Sequence, residues 1–395
     1  MGDPRAVVNP LARHYTRFRV SERLLLTGHS HQAWPDVAFD GHIEAFEDAA
    51  LHVDTKWERA FDKAEHVHDG FRALLGEPSA EIALGTNTHE LVVRFLSALE
   101  LGTQSRLITT DGEFHTLRRQ MARLRDAGLD VVVVAARPVG TLADRLADAL
   151  DDSTAAVLVS AVLFEDARIV PHLDRLAIAC RERHCELLVD AYHALGVIPF
   201  RPEEKGLNSA WIVGGGYKYL QLGEGNCFLR IPAHAYEARP IVTGWFAEFG
   251  DLTSAPGDRV EYGRGAAAFG GSTYDPTSHY RAARVFQFFE HQGLTPERLR
   301  ESYLHQLDVL ASGFDALDLP EERVTRDRET PLESLGGFLA LRSPRAGELQ
   351  ATLAERGVLT DSRGDFLRFG PAPYLDDSQL ARAIGILGDA VRASL

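Results

Sequence analysis

The chain has 395 residues, of which 45% are hydrophobic and 25% charged, and its formal net charge is −15. This is enough apolar material for one large core, or for two domains sharing an interface, and it excludes bulk disorder. An acidic surface repels phosphate backbones, which argues against nucleic acid as a partner, and no uninterrupted run of about 18 apolar residues offers a membrane span.

Residues 1–50 read as an irregular arm with one helix. Residues 44–75 are expected to be mostly helical, with Phe46, Ala49, Ala50 and Val53 at i, i+3, i+4, i+7 spacing as the apolar face. Gly76, Glu77 and Pro78 stop this helix. Strands and helices then alternate. Strands are predicted at 81–84, 106–109, 130–135, 155–163 and 186–190, and helices at 88–99, 116–127, 142–150 and 173–183. Apolar strands separated by amphipathic helices predict a mostly parallel sheet covered on both faces. Past a further apolar run at 211–213 the pattern changes. Residues 226–231 read as a strand, and 243–275 are rich in Gly, Thr and Ser. Helices are predicted at 280–290 and 296–317. From about 323 onward shorter strands and helices alternate. The fold class is α/β, with a large domain over 51–290 and a smaller C-terminal α/β domain over 291–395.

Cys180, Cys185 and Cys227 lack CxxC spacing, so they give neither a disulfide framework nor a zinc ribbon, and they fit a reducing cytoplasm. The N-terminal residues lack the apolar centre of a signal peptide, and Ala6 stands where a myristoylation signal has Ser or Thr. His66 and His68 would face apart on a helix, so they make no metal pair. His29 and His31 could line a pocket. No metal is expected.

Four segments bear chemistry. The strand 186–190 ends at Asp190, ahead of His193 and Gly196, and ligands sit beyond the carboxyl ends of parallel strands. By itself such an aspartate also suits a helix cap or an ion pair. Next, 211–213 runs into Gly214, Gly215 and Gly216, then Tyr217, Lys218 and Tyr219. Glycines allow close approach of backbone and cofactor, and aromatic neighbours desolvate the lysine, freeing its amine for imine formation. A surface lysine lying along apolar groups is the plain alternative. Together the lysine and the carboxylate suit pyridoxal 5′-phosphate (PLP), which needs an amine and an acidic partner for its pyridine nitrogen. In the third segment Thr86, Asn87 and Thr88 open a helix, a place for a phosphate or a simple N-cap. In the fourth, Phe114 or His115 could stack on a ring or belong to the core.

In this order the segments resemble the fold-type I PLP enzymes, and within them the class V aminotransferase and kynureninase group. Asp190-Ala191-Tyr192-His193-Ala194-Leu195-Gly196 is similar to the kynureninase D-x-A-H-A-x-G. Tyr217-Lys218-Tyr219-Leu220 leads to Gly223 and Gly225. Gly244-Trp245-Phe246 follows, then Arg356-Gly357-Val358, Asp361-Ser362-Arg363, and Leu367-Arg368 ahead of Pro371, Pro373 and Tyr374. The matches span residues 24–374.

The resemblance implies a large domain with a seven-stranded sheet, a homodimer, and an N-terminal arm contributing to the small domain and the site. It implies PLP held by Lys218, with Asp190 on the pyridine nitrogen, His193 supporting the ring region and Phe114 on its face. Asn87, Thr88, Tyr217 and Trp245 would serve the cofactor's phosphate end, with Thr273 from a neighbouring subunit. Lys218, Asp190 and Tyr217 would be catalytic. Arg368 would grip the substrate carboxylate, with an ion pair to Asp361 or Asp365 as the plain alternative, and His29, Ser30 and His31 would line the substrate side. The implied reaction is hydrolysis of kynurenine, or a related amino acid, at the Cβ–Cγ bond, giving anthranilate and alanine. The substrate-side motifs depart from the pattern. Gly28-His29-Ser30-His31-Gln32 replaces G-N-S-L-G, Phe164-Glu165-Asp166-Ala167 replaces F-x-T-G, and Ser272-Thr273-Tyr274-Asp275-Pro276 replaces S-N-P. A class V aminotransferase or β-lyase is the alternative. A desulfurase would need a cysteine on a C-terminal loop, and none lies beyond Cys227.

Overall fold

The computed structural model describes residues 9–102, 105–251 and 259–393. The first eight residues of the predicted arm, Ala6 among them, and part of the Gly-, Thr- and Ser-rich stretch lie outside the described residues.

The chain opens with short helical turns and a two-residue strand, Leu24–Leu25 (β1), followed by helices Val37–His52 (α1) and Lys56–Leu75 (α2). The predicted single helix over 44–75 is therefore two helices. Val53, with φ 51°, interrupts them. The apolar stripe predicted as the buried face points outward, with Phe46 76% and Val53 70% exposed. Helix α1 instead packs on a later helix through Ala38 and Gly41. A Cβ on Gly41 would lie 2.7 Å from the Tyr280 carbonyl oxygen, so only a small residue permits this approach. Helix α2 behaves as its pattern asks: Ala60, Ala64, Val67, Phe71 and Leu74 are buried along one face, and Gly76 ends it in the left-handed conformation.

The alternating region supplies β2 (Glu81–Gly85), α3 (Thr88–Ala98), β3 (Arg106–Thr110), α4 (His115–Asp126), β4 (Asp130–Val134), α5 (Leu142–Asp148), β5 (Thr154–Ser160), α6 (Leu173–Glu182), β6 (Glu186–Asp190), β7 (Trp211–Gly215) and β8 (Cys227–Ile231). These strands form a seven-stranded sheet in the order β2-β8-β7-β6-β5-β3-β4. Only β8 runs antiparallel to its neighbours. The run from β7 to β4 is parallel throughout. Both faces are covered. Along β5, Val157 and Val159 belong to one buried cluster, while Ala156 and Leu158 belong to the other. That arrangement is why the sequence reads as continuous apolar runs rather than alternation.

Beyond the sheet come α7 (Thr277–Gln292), α8 (Pro296–Asp315), β9 (Thr325–Arg326), β10 (Leu339–Arg342), α9 (Ala346–Glu355), β11 (Val358–Leu359), β12 (Asp361–Arg363), β13 (Phe366–Phe369) and α10 (Asp377–Ala393). Helix α8 starts on Thr295, whose side chain accepts from Arg298 N, with Pro296 in the first turn. Strands β12-β13-β10-β9 make an antiparallel sheet. Strand β1 pairs in parallel with β11, and Thr27 bridges to Gly370. The chain's first strand thus lies beside its last ones, which puts residues 27–31 next to β13. Among the described residues no helix is long and apolar enough to cross a membrane.

Candidate active site

Because β2, β3, β5, β6 and β7 share a direction, their carboxyl ends open on one edge of the sheet. Thr88, Phe114, Asp190 and Val213 line a single small cavity there. Asp190 ends β6. Its Oδ1 accepts from Tyr192 N at 2.8 Å, and among the described residues no donor reaches its other oxygen. Burial raises the acid's pKa, partly offset by the backbone hydrogen bond and the positive charge of Lys218.

Lys218 follows β7 and is buried. Its Nζ lies 2.7 Å from His193 Nε2, and 5.3 Å and 4.8 Å from the ring centres of Phe114 and Tyr192. Burial lowers its pKa to about 7, with Asp190 pulling the other way. Burial thus favours the free amine far more than in an exposed lysine. His193 is kept neutral by burial and by Lys218, and its Nδ1 lies 3.3 Å from the Tyr219 hydroxyl. Tyr217 leans on Tyr192 at 5.0 Å between ring centres, and burial pushes its hydroxyl up to about 12.

The glycines before Lys218 have a different use from the one expected. A Cβ on Gly215 would come 2.6 Å from the Tyr192 ring, and one on Gly216 2.3 Å from the Leu222 side chain. They make room for protein side chains rather than for a ligand. Asn87 is the N-cap of α3: its side chain accepts from Glu90 N at 2.9 Å and donates to Thr86 Oγ1 at 3.1 Å. Thr88 opens the helix and faces the cavity. Trp245 Nε1 donates to Thr273 Oγ1 at 3.2 Å, so these two predicted phosphate residues are neighbours.

The substrate-side residues separate. His29 is fully buried and lies 4.6 Å from the Phe338 ring. Its Nε2 is 3.7 Å from Asp361, beyond hydrogen-bond reach, and neither ring nitrogen has a hydrogen-bond partner among the described residues. His31 is at the rim, 61% exposed, stacked on Tyr217 at 4.9 Å and in contact with Ser30 Oγ at 3.1 Å. The 27–31 segment is a turn closed by Ser30 N and His31 N on Thr27 O, which sends the two histidines in different directions. Arg368 is buried on β13. Its Nη2 donates to Asp361 at 2.6 Å, its Nη1 to the Phe164 carbonyl, and its Nε has no hydrogen-bond partner among the described residues. Of the two ion pairs foreseen, the one with Asp361 forms, and Asp365 is engaged by Arg342 instead.

One buried acid was not foreseen. Glu113, in the loop after β3, is 1% exposed and hydrogen-bonded to Thr110 and Ser160. A single glutamate in a polar loop carries no local sign of burial.

The architecture is that of the fold-type I PLP enzymes. No protein-family model and no curated protein sequence matches the chain. Solved structures do match it. A lysine-to-alanine variant of C-DES with glycine covalently linked to its PLP cofactor superimposes with TM-score 0.83 at 16% identity, covering 96% of this chain and 99% of that one. Cysteine desulfurase from Thermococcus onnurineus NA1 gives 0.79 at 15%, covering all of both chains. The cysteine desulfurase CsdA from Escherichia coli gives 0.79 at 14%, covering 98% and 99%. C-DES itself is a cystine C–S lyase. At these identities the likeness defines the fold.

Proposed function

We propose that this chain is a PLP-dependent enzyme that acts on an α-amino acid and breaks a bond at its β carbon. The observation that carries this reading is the pairing of Lys218, whose amine is buried and its pKa pushed down by that burial, with Asp190 at the end of the neighbouring strand. The residues suit PLP: Asp190 has an oxygen without a protein donor, Thr88 and the start of α3 offer donors for a phosphate, and Phe114 offers a ring face. When bound, PLP supplies an electron sink for the substrate's α carbon. In this reading Lys218 would hold and return the proton at that carbon, with neutral His193 accepting a hydrogen bond from its amine. Arg368, with its planar fork, binds the substrate carboxylate. In this reading residues 51–290 hold the cofactor, while 291–395 and the arm over 1–50 hold the substrate.

Release of a thiol from Cβ is the better supported branch, because C-DES shares this fold across nearly its whole length. Desulfuration through an enzyme thiol is disfavoured, since Cys180, Cys185 and Cys227 are all buried. Unpaired cysteines also suit a reducing cytoplasm. Kynureninase-type hydrolysis is the second reading, favoured by the motifs kept at Gly244-Trp245-Phe246, Asp361-Ser362-Arg363 and Arg368. We further infer a homodimer. Phe39, Ile43 and Phe46 on α1 and Ile241 form exposed apolar surface that a second copy would cover, and light scattering showing single chains would refute it.

Borohydride reduction of the PLP-treated protein, followed by peptide mapping, should place the label on Lys218. A label on Lys205, or none, would overturn the cofactor reading. Mass spectrometry of products then separates the branches. Pyruvate, ammonia and a thiol from a β-thio amino acid mark the lyase. Anthranilate and alanine from kynurenine mark the hydrolase, and a keto acid formed only with an amino acceptor marks a transaminase.

A further inference from the structure

Strands β3 and β5 end side by side at the sheet edge, and the loop after β3 holds Glu113. Its Oε1 accepts from Thr110 Oγ1 at 2.7 Å and from Ser160 N at 3.2 Å, and its Oε2 lies 2.5 Å from Ser160 Oγ. One side chain thus ties the last residue of β3 to the last residue of β5. The loop is held at two further points. Asp111 Oδ1 accepts from Ala136 N at 2.7 Å, and Gly112 N donates to Thr110 Oγ1 at 3.1 Å.

Both neighbours of this tie are cofactor-site residues. Phe114 is next in the chain, caps α4, and packs edge-on against Phe164 at 5.5 Å. Ser160 is the register partner of Asp190 on β6, and Ala161 N donates to the Asp190 carbonyl at 2.9 Å. Glu113 itself does not line the cavity that Phe114 and Asp190 share. Burial above all, and then the charge of Asp190, raise Glu113 to about 7. A hydroxyl can donate to a carboxylate or accept from a carboxylic acid, so the tie can form with Glu113 in either state, and the protonated acid avoids the cost of a second buried charge near Asp190.

We propose that Glu113 is a positioning residue for the cofactor, locking Phe114 and Asp190 relative to each other across the cavity they line. This rests on the PLP reading above. Because the Ser160 hydroxyl can accept from an amide N–H while Oε1 keeps its two donors, the tie should be reproduced by the amide of Glu113→Gln and lost in Glu113→Ala.

The test uses the full-length, PLP-loaded protein and two readouts besides activity: PLP affinity, and the visible circular dichroism of the bound cofactor, which reports how rigidly its ring is held. Glu113→Ala should weaken PLP binding about tenfold and lose most of the dichroism at saturating PLP, while Glu113→Gln stays within about twofold of wild type. Phe114→Leu should reproduce the loss of dichroism. The double variant Glu113→Ala/Phe114→Leu should lose little more, because the two residues act as one unit. Should Glu113→Ala fail to fold, Ser160→Ala cuts the same tie at one bond and should give a smaller loss of the same kind. Additive losses, or unchanged dichroism in Glu113→Ala or in its Ser160→Ala substitute, would overturn the role of Glu113 and leave the cofactor reading intact. A wild-type protein that takes up no PLP would overturn both.

Discussion

The two walls of the proposed active-site cleft, one read as holding cofactor and the other substrate, are assembled by different means. The cofactor wall is the carboxyl edge of a parallel sheet. Asp190 and Ser160 are placed by the β ladder, and Lys218 follows the next strand by three residues. The substrate wall is gathered from distant stretches: His29 from the first turn of the chain, Asp361 and Arg368 from the small antiparallel sheet, and the Phe164 carbonyl from the loop after β5. They meet because β1 pairs with β11 and Thr27 with Gly370. A wall built on one ladder keeps its geometry while its loops vary. A wall built from separate pieces can change chemistry one piece at a time, and two of the three departures from the kynureninase pattern, at 28–32 and 164–167, fall on that side.

The largest expected effect tests the cofactor wall. Asp190→Asn removes the negative partner of the pyridine nitrogen, so turnover should fall by about 10²–10³-fold, the scale of a lost transition-state partner, while PLP is still taken up. Steady-state kinetics on the loaded variant check this, and near-wild-type turnover would break the assignment. A somewhat smaller effect tests the substrate wall. Arg368→Lys keeps the charge and loses the fork, and should cost about 2–4 kcal/mol in kcat/KM with little change in melting temperature. An early-melting variant that keeps its efficiency would make Arg368 a structural partner of Asp361 and place the substrate carboxylate elsewhere.

The same contrast explains what was legible in the sequence. The sheet, its mostly parallel sense and the strand ends at Asp190 and before Lys218 follow from local patterns of apolar runs and helical spacing. Contacts made at long range left no such mark. Nothing local marks Glu113 as buried, because its partner Ser160 is 47 residues away. The stripe at Phe46 and Val53 reads as a core face, yet α1 approaches α7 through Ala38 and Gly41, where small side chains allow close contact. The glycines at 215 and 216 read as space for a ligand, and are filled by Tyr192 and Leu222. His29 and His31 read as equivalent until the turn at Thr27 sends one inward and one to the rim.

The smallest effect concerns that inward histidine. Burial, reinforced by the positive charges of Arg368 and Lys218, lowers His29 to about 4. Unfolded, it would titrate at about 6.5. Between those values the unfolded chain binds a proton that the folded chain refuses. The stability gained by keeping His29 neutral is therefore complete above about pH 6.5, falls as the pH drops, and is exhausted near pH 4. The full swing is up to about 3 kcal/mol. Asp361, lowered to about 2, stays ionised throughout and opposes the shift without cancelling it. His193 and His279 are also buried and lowered, so they share the acid limb. His29→Asn restores the asparagine of the resembling family at this position and removes only one contribution. Urea unfolding at pH 7.5 and pH 4.5 should show the wild type losing more stability between the two than the variant. A smaller loss in the wild type than in the variant would mean that folded His29 is protonated and paired with Asp361, making the substrate wall an ion-pair network of Arg368, Asp361 and His29 rather than a single guanidinium beside a neutral ring, and equal losses would mean that folding leaves its titration unshifted.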